Sequence, residues 1–280
     1  LDEHTYQRRV HCFASRPASF ELPRGGVVKA RGFDELATFD LGDAIVLHYA
    51  FVMKERLKVL GDAAYVRANV EITAAMLAAM ARTPPKALFV TSSGAAARGP
   101  SLATDPYGGL KAIDELVFRQ TCRDLGIRGL IARVFAVGGG ANPNPGRYAL
   151  DSFVSQALAG GPVVVRADHP VRRSYVGVED LVVLALSHLL SGGPADDGGT
   201  VVFETGGEVV EMGELAARVV EAVGAGTVVR ERFDPQAPAD DYLGDPAVML
   251  TMMTAHGLRP AGIDQLIREA AGTAPPDPRR

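Results

Sequence analysis

Short apolar blocks alternate with longer amphipathic stretches along the first half of the chain. The short, β-rich blocks predict strands, and those without polar interruption predict strands that are buried on both faces. The longer stretches carry apolar residues at helical spacing and predict helices. The predicted strands cover residues 10–15, 44–51, 87–93 and 129–137, and the predicted helices cover 62–81 and 107–125. This alternation specifies a parallel sheet with helices on both faces.

The pattern changes after the glycines at 138–140, where shorter strands and helices follow without regular alternation. We therefore expect an α/β protein in which a parallel sheet, covered on both faces, is followed by a smaller, mixed α/β region.

Composition narrows the classes of function. The 280 residues are 47% hydrophobic and 22% charged with a net charge of −4, and the charges are interspersed, so we expect no nucleic-acid surface. No apolar run reaches the roughly 18 residues of a membrane helix. Cysteine is scarce, which favours the cytoplasm, and Cys12 and Cys122 have neither metal nor redox spacing. His48 lies in an apolar strand as a core imidazole, and no metal site is predicted.

Tyr107 and Lys111 carry the clearest chemical signal. Their four-residue spacing places a phenol and an ammonium on the same face of a helix. A lysine cation stabilises a phenolate, so we expect a lowered pKa for Tyr107 and proton exchange near neutral pH. Ser93, at the end of an apolar strand, is placed to hydrogen-bond the same substrate oxygen. The alternative is a chance spacing of two solvated side chains.

Six features occur in the same order as in one known family. They are the strand LHYAF, Asn69 in RANVEIT, Ser93, the Tyr107/Lys111 pair, the segment ARVFAVGG and Arg173 in RRSYVGVED. From about Val10 to Ala271 the chain resembles the extended short-chain dehydrogenase/reductases, in their NAD-dependent epimerase/dehydratase group. The resemblance implies a doubly wound, Rossmann-like parallel sheet, expected over residues 1–140 and 174–203. It also implies a small mixed α/β C-terminal lobe that binds substrate, expected over residues 141–173 and 204–280. It further implies a nicotinamide cofactor, a small-molecule substrate and a homodimer formed through the helices that carry Asn69 and Tyr107.

The resemblance also implies roles for individual residues. Ser93, Tyr107 and Lys111 match the catalytic positions, with Asn69 supporting them by fixing backbone or a water. Lys111 would also hold the nicotinamide ribose. The remaining implied contacts are Tyr49 and Ala50 for the cofactor groove, and Gly94 and Arg173, together with Ser93, for the substrate.

Three departures from the family limit what the resemblance implies. No strand and glycine-rich loop precede Val10, and residues 2–9 resemble the end of the first helix. Either the sequence begins inside the natural chain, which a first residue other than Met favours, or the protein lacks this unit. Gly94 and Ala95 follow Ser93 where dehydratases carry Asp-Glu, which argues against a 4,6-dehydratase. Ala136 stands where many sugar epimerases carry a substrate-binding asparagine.

The end of the first predicted strand bears on the choice of cofactor. Ser15 and Arg16 stand there instead of an acidic residue, and arginine pairs with the 2′-phosphate of NADP, so NADP is favoured over NAD. Stacking of Arg16 on adenine would fit either cofactor. The leading hypothesis is an NAD(P)-dependent epimerase or ketoreductase that acts on a nucleotide sugar or a related hydroxylated metabolite. A cofactor-free proton-transfer enzyme and a non-catalytic binding module remain alternatives.

Overall fold

A computed structural model describes residues 10–21, 26–99, 101–140, 148–191 and 199–272. The strands in these ranges are β1 (Cys12–Ala14), β2 (Ala18–Glu21), β3 (Val27–Gly32), β4 (Ile45–His48), β5 (Ala87–Ser93), β6 (Arg128–Val134), β7 (Ala136–Gly138), β8 (Pro162–Val164), β9 (Val171–Gly177), β10 (Thr200–Glu204), β11 (Val209–Glu211), β12 (Thr227–Val229) and β13 (Asp240–Tyr242). The helices are α1 (Leu57–Leu60), α2 (Asp62–Arg82), α3 (Pro106–Leu125), α4 (Ala149–Leu158), α5 (Val178–Ser191), α6 (Met212–Val223), α7 (Ala247–Ala255) and α8 (Ile263–Ala270).

A four-stranded parallel sheet in the order β10–β6–β5–β4 positions the candidate site. Alternate residues of β5 point to opposite faces, as the two-residue period of a strand requires. Phe89 shares a core with Leu184 of α5 and Met249 of α7. Val90 shares the opposite core with Met80 of α2. Helices therefore cover both faces, which confirms the predicted α/β class and its buried parallel strands.

A second sheet of three strands, in the order β1–β3–β2, lies apart from the first in hydrogen bonding. The sequence pattern predicts β1 but not β2 or β3, because their exposed side chains, such as Phe20, mix apolar with polar residues. Among the described residues, β1 and β4 each have a strand partner on one side only. Residues 2–9, interpreted from the sequence as part of a helix, lie outside the described residues.

The single strand predicted over 129–137 is wrong in one respect, because Phe135 divides it. β6 ends at Val134, and the Phe135 amide donates to Thr205 Oγ1 over 3.1 Å instead of continuing the ladder. β7 then leaves the central sheet and pairs with β9. The chain thereby passes from the parallel sheet to the C-terminal region.

The C-terminal region has its own core and its own small sheets. β9 pairs antiparallel with β11 and parallel with β13, and β8 pairs with β12. Helices α4, α6 and α8 bury Leu150, Leu215 and Leu266 in one cluster. Four elements there are absent from the sequence prediction: α7, β11, β12 and β13. No helix among the described residues is long and apolar enough to cross a membrane.

Candidate active site

Ser93 is the last residue of β5, at the edge where the parallel strands end. It is 4% exposed, and the Ala95 amide donates to its Oγ over 3.2 Å. This bond closes the turn that follows the strand and fixes the hydroxyl. The carboxyl ends of parallel strands are the usual place for ligands in such sheets, because the chain enters loops there.

Tyr107 and Lys111 lie in the first turns of α3, which begins with Pro106. Asp105 caps the helix by accepting a bond from the Gly108 amide over 3.1 Å. Lys111 is 5% exposed and donates from Nζ to the Thr91 carbonyl over 2.8 Å. Since Thr91 belongs to β5, this bond holds the lysine against the strand that carries Ser93.

Phe51 is an aromatic residue of the site that the sequence pattern does not identify. Its ring centroid lies 3.8 Å from Lys111 Nζ and 5.7 Å from the Tyr107 ring centroid, edge to face. The ring supplies a cation–π contact to an ammonium that has lost most of its water. Its position follows from β4, which ends three residues earlier at His48.

Burial sets the acidity of both groups. It raises the pKa of Tyr107 above its ordinary value, and hydrogen bonding with Ser93 opposes that rise. The expectation of a lowered pKa is therefore wrong for this structure, because loss of water outweighs the stabilisation of a phenolate. Burial lowers the pKa of Lys111 to about 8, opposed by the charges of Asp114 and Glu115. At neutral pH the structure thus presents a neutral phenol beside a charged ammonium.

Asn69 supports the site from α2 by binding backbone. Its Oδ1 accepts from the Val52 amide over 2.7 Å, and its Nδ2 donates to the carbonyls of Val52 and Tyr65 over 3.3 and 3.2 Å. The side chain is 1% exposed. Asn69 therefore fixes the segment that follows β4 and carries Phe51.

The residues expected at the cofactor lie along the ends of β4 and β1. Tyr49 follows β4, is 47% exposed and packs edge-on against Phe89 at 5.8 Å, while Ala50 beside it is partly buried. Ser15 and Arg16 follow β1 and are exposed. In the described part of the chain, neither Ser15 nor Arg16 forms a hydrogen bond or ion pair with Ser93, Tyr107 or Lys111.

Arg173 lies on β9 within a set of ion pairs that we call the arginine edge, formed by Arg172, Arg173, Asp240 and Asp241. Arg173 Nη2 lies 2.8 Å from Asp240 Oδ2, and Arg172 binds Asp241 through two bonds of 2.8 and 2.6 Å. Parallel pairing of β9 with β13 produces these contacts. The arginine expected to bind substrate is therefore already paired with a carboxylate.

Tyr242, the last residue of β13, is the main site residue that sequence reasoning misses. Its hydroxyl lies 3.0 Å from Ser93 Oγ, although 149 residues separate them. The only sequence signal is a tyrosine between acidic residues in DYLGD, a pattern without chemical specificity. Pairing between β9 and β13 brings it to the site, and short sequence motifs do not report such pairing.

Gly94 is required at its position by close packing. A Cβ atom there would overlap the ring of Phe135. The residue after Ser93 therefore has no room for the acidic side chain found in dehydratases of the resembled family. The physical obstacle agrees with the sequence argument against a 4,6-dehydratase.

His48 lies beneath the site as a buried imidazole. It is 7% exposed, and its ring centroid lies 5.2 Å from that of Phe118. Burial, and secondly the charge of Lys111, lowers its pKa to about 4. A neutral ring here belongs to the core of the sheet.

Comparisons with known proteins place the chain among nicotinamide-dependent enzymes. The sequence profile of the NAD dependent epimerase/dehydratase family matches residues 2–200. No curated protein matches the sequence significantly.

Solved structures resemble the fold over most of its length. MoeE5 in complex with UDP-glucose and NAD is 20% identical with a TM-score of 0.70, covering 96% of this chain and 91% of that one. UDP-glucose 4-epimerase from Brucella ovis with NAD is 23% identical with a TM-score of 0.63, covering 86% and 80%. RMD from Pseudomonas aeruginosa with NADPH is 20% identical with a TM-score of 0.63, covering 83% and 84%. At these identities the likeness shows a shared fold.

Proposed function

The chain belongs to the NAD dependent epimerase/dehydratase family, an extended short-chain dehydrogenase/reductase type of nicotinamide-dependent enzyme, and from this premise we propose its reaction. It acts as an NAD(P)-dependent epimerase or ketoreductase on a nucleotide sugar or a related hydroxylated metabolite. We call Ser93, Tyr107 and Lys111 the proton-transfer group. One observation carries the proposal: Lys111 binds the Thr91 carbonyl of β5, the strand that ends at Ser93, and Phe51 contacts both Lys111 and Tyr107.

Tyr107 moves the proton of the reacting oxygen. Its pKa lies above the ordinary value of a phenol, so it is neutral at pH 7 and carries the proton that a carbonyl oxygen takes up as that oxygen gains negative charge. In the reverse direction it must first release its proton, which hydrogen bonding with Ser93 favours and burial opposes. Ser93 orients the same oxygen by hydrogen bonding.

Lys111 is suited to hold the cofactor. Its bond to the Thr91 carbonyl is the single hydrogen bond of Nζ within the described residues, and an ammonium has three donors. The two remaining N–H groups match the neighbouring hydroxyls of a ribose. A nicotinamide bound there supplies or accepts the hydride. Tyr49 and Ala50 would line its groove at the end of β4.

Arg16 favours NADP over NAD in this proposal. Arg16 follows β1, is exposed and forms no ion pair among the described residues. Its guanidinium therefore suits a 2′-phosphate. Turnover with each cofactor tests this choice. Arg16→Ala is expected to raise KM for NADPH about tenfold and to leave KM for NADH nearly unchanged.

The substrate class rests on the relatives and on the arginine edge. Solved structures with this fold contain UDP-glucose or are UDP-glucose 4-epimerases. In this chain Arg173 offers a cation for a diphosphate, and Ser93 with Gly94 would lie against the sugar. A diphosphate would compete with Asp240 for the Arg173 guanidinium.

We further propose a homodimer through the outer faces of α2 and α3. Both helices expose large apolar side chains there, with Val70 50%, Ile113 39% and Leu116 67% exposed. Such side chains together form a surface that a second copy would cover. Sedimentation of the wild type and of Leu116→Glu tests this. A dimer is expected for the first and a monomer for the second.

The reaction is tested with purified full-length protein and a panel of UDP-hexoses and their 4-keto forms. An epimerase interconverts the sugars without added reductant, and a reductase consumes NADPH with the keto sugars. Tyr107→Phe should lower either activity about 10³-fold, while Tyr175→Phe, which removes a buried phenol of the C-terminal core, should not. Proton exchange into the sugars without any nicotinamide would replace the proposal with cofactor-free chemistry.

A further inference from the structure

Ser93 Oγ can form only a few hydrogen bonds. A serine hydroxyl donates one hydrogen bond and accepts up to two. One place is taken by the Ala95 amide at 3.2 Å and a second by the Tyr242 hydroxyl at 3.0 Å. The serine has a single hydrogen, and a carbonyl oxygen of a substrate can only accept it. A Tyr242 hydroxyl that accepts this hydrogen therefore leaves none for the substrate.

The ring of Tyr242 is held independently of its hydroxyl. Its centroid lies 4.8 Å from that of Phe135 and 4.7 Å from the guanidinium carbon of Arg98. Arg173 approaches the same ring at 5.9 Å. Removal of the hydroxyl alone therefore leaves the packing of the side chain intact.

β13 is a three-residue strand that pairs with β9 at the edge of the described sheet. Beside this ladder, the ion pairs Arg172–Asp241 and Arg173–Asp240 involve side chains that are between 23% and 49% exposed. Exposed pairs of this kind hold a strand weakly, because water and salt compete for both charges. Displacement of the Tyr242 hydroxyl therefore has to move a short edge strand and not a central one.

We propose that Tyr242 is a positioning residue: its hydroxyl occupies the place on Ser93 Oγ that a substrate oxygen takes. This rests on the proposed function, in which Ser93 binds the reacting oxygen. In the structure the Tyr242 hydroxyl lies 3.0 Å from Ser93 Oγ, and entry of substrate replaces it there.

The contact between Tyr242 and Ser93 is tested without substrate or cofactor. In protein labelled with ¹³C at the tyrosine ζ-carbons, Ser93→Ala is expected to shift the Tyr242 signal. Tyr175→Phe is the matched control and should leave the Tyr242 signal in place. An unchanged Tyr242 signal in Ser93→Ala would overturn the proposal even if the enzyme is active.

Competition with substrate is tested by kinetics on any sugar that is turned over. Tyr242→Phe should lower KM about fivefold, corresponding to about 1 kcal/mol, with kcat changed less than twofold. A purely structural role would not improve substrate binding. A raised KM would mean that Tyr242 binds substrate, and a large fall in kcat that it takes part in proton transfer; either result overturns the proposal. If the wild type turned over none of the sugars, the proposed function would be refuted. The labelled-tyrosine experiment would then decide the proposal about Tyr242.

Discussion

The proton-transfer group and the arginine edge meet at Tyr242 but are built on opposite principles. Ser93 and Lys111 are about 5% exposed or less, and burial dominates the acidity of Tyr107 and Lys111. The arginine edge consists of exposed ion pairs, in each of which an arginine is paired with an aspartate. The first region holds groups in a fixed geometry with altered acidity. The second holds charges that an anionic ligand can exchange at little cost.

Tyr107→Phe is expected to have the largest effect, since it removes the proton donor from the buried region. General acid–base catalysis contributes about 10²–10⁴-fold, so kcat should fall about 10³-fold with little change in substrate binding. Steady-state kinetics of the wild type and the variant give the comparison. A variant that keeps a tenth or more of the wild-type kcat would move proton transfer to another group.

His48→Leu tests the cost of burying an ionisable group beneath the site. The pKa of His48 is lowered from 6.5 to about 4, so the unfolded chain binds more protons between those values and the wild type loses stability as pH falls from 6.5 to 4. Its contribution to that loss by pH 4 is about 3 kcal/mol. Lys111, with a pKa of about 8, stays charged throughout.

Urea unfolding at pH 7 and pH 4 measures the effect. Between pH 7 and pH 4, the free energy of unfolding should fall by about 3 kcal/mol less in the leucine variant than in the wild type. Equal falls in the two proteins would show that His48 is solvated and that the buried region extends less far than the structure indicates.

Asp240→Asn should have the smallest effect on stability and a modest one on binding. Removing an exposed pair with Arg173 changes the melting temperature by about 2 °C or less. The freed guanidinium should bind UDP about threefold more tightly, because no carboxylate then competes for it. Calorimetric titration with UDP measures this, with Asp234→Asn, a surface carboxylate outside the arginine edge, as control. Weaker binding would indicate that Asp240 contacts the nucleotide.

The local parts of the fold and of the site could be predicted from the sequence. A buried parallel strand has a continuous apolar pattern, and a helix has apolar residues at helical spacing. The sequence therefore predicts β5 and α3, and with them Ser93, Tyr107 and Lys111. The break at Phe135 and the helix α7 depend on contacts with distant segments. Tyr242 reaches Ser93 only through the pairing of two strands about 70 residues apart, β9 and β13. The raised pKa of Tyr107 also required the structure, because burial depends on the packing of the whole site.

The central claim is that the proton-transfer group serves a nicotinamide, and cofactor binding tests it most directly. Calorimetric titration of the full-length protein with NADP⁺ and NAD⁺ should give a dissociation constant in the micromolar range for at least one of them. Lys111→Met should weaken that binding about tenfold, because it removes the N–H groups that are proposed to bind the ribose. Absence of binding by the full-length wild type, under conditions in which it is folded, would contradict the account.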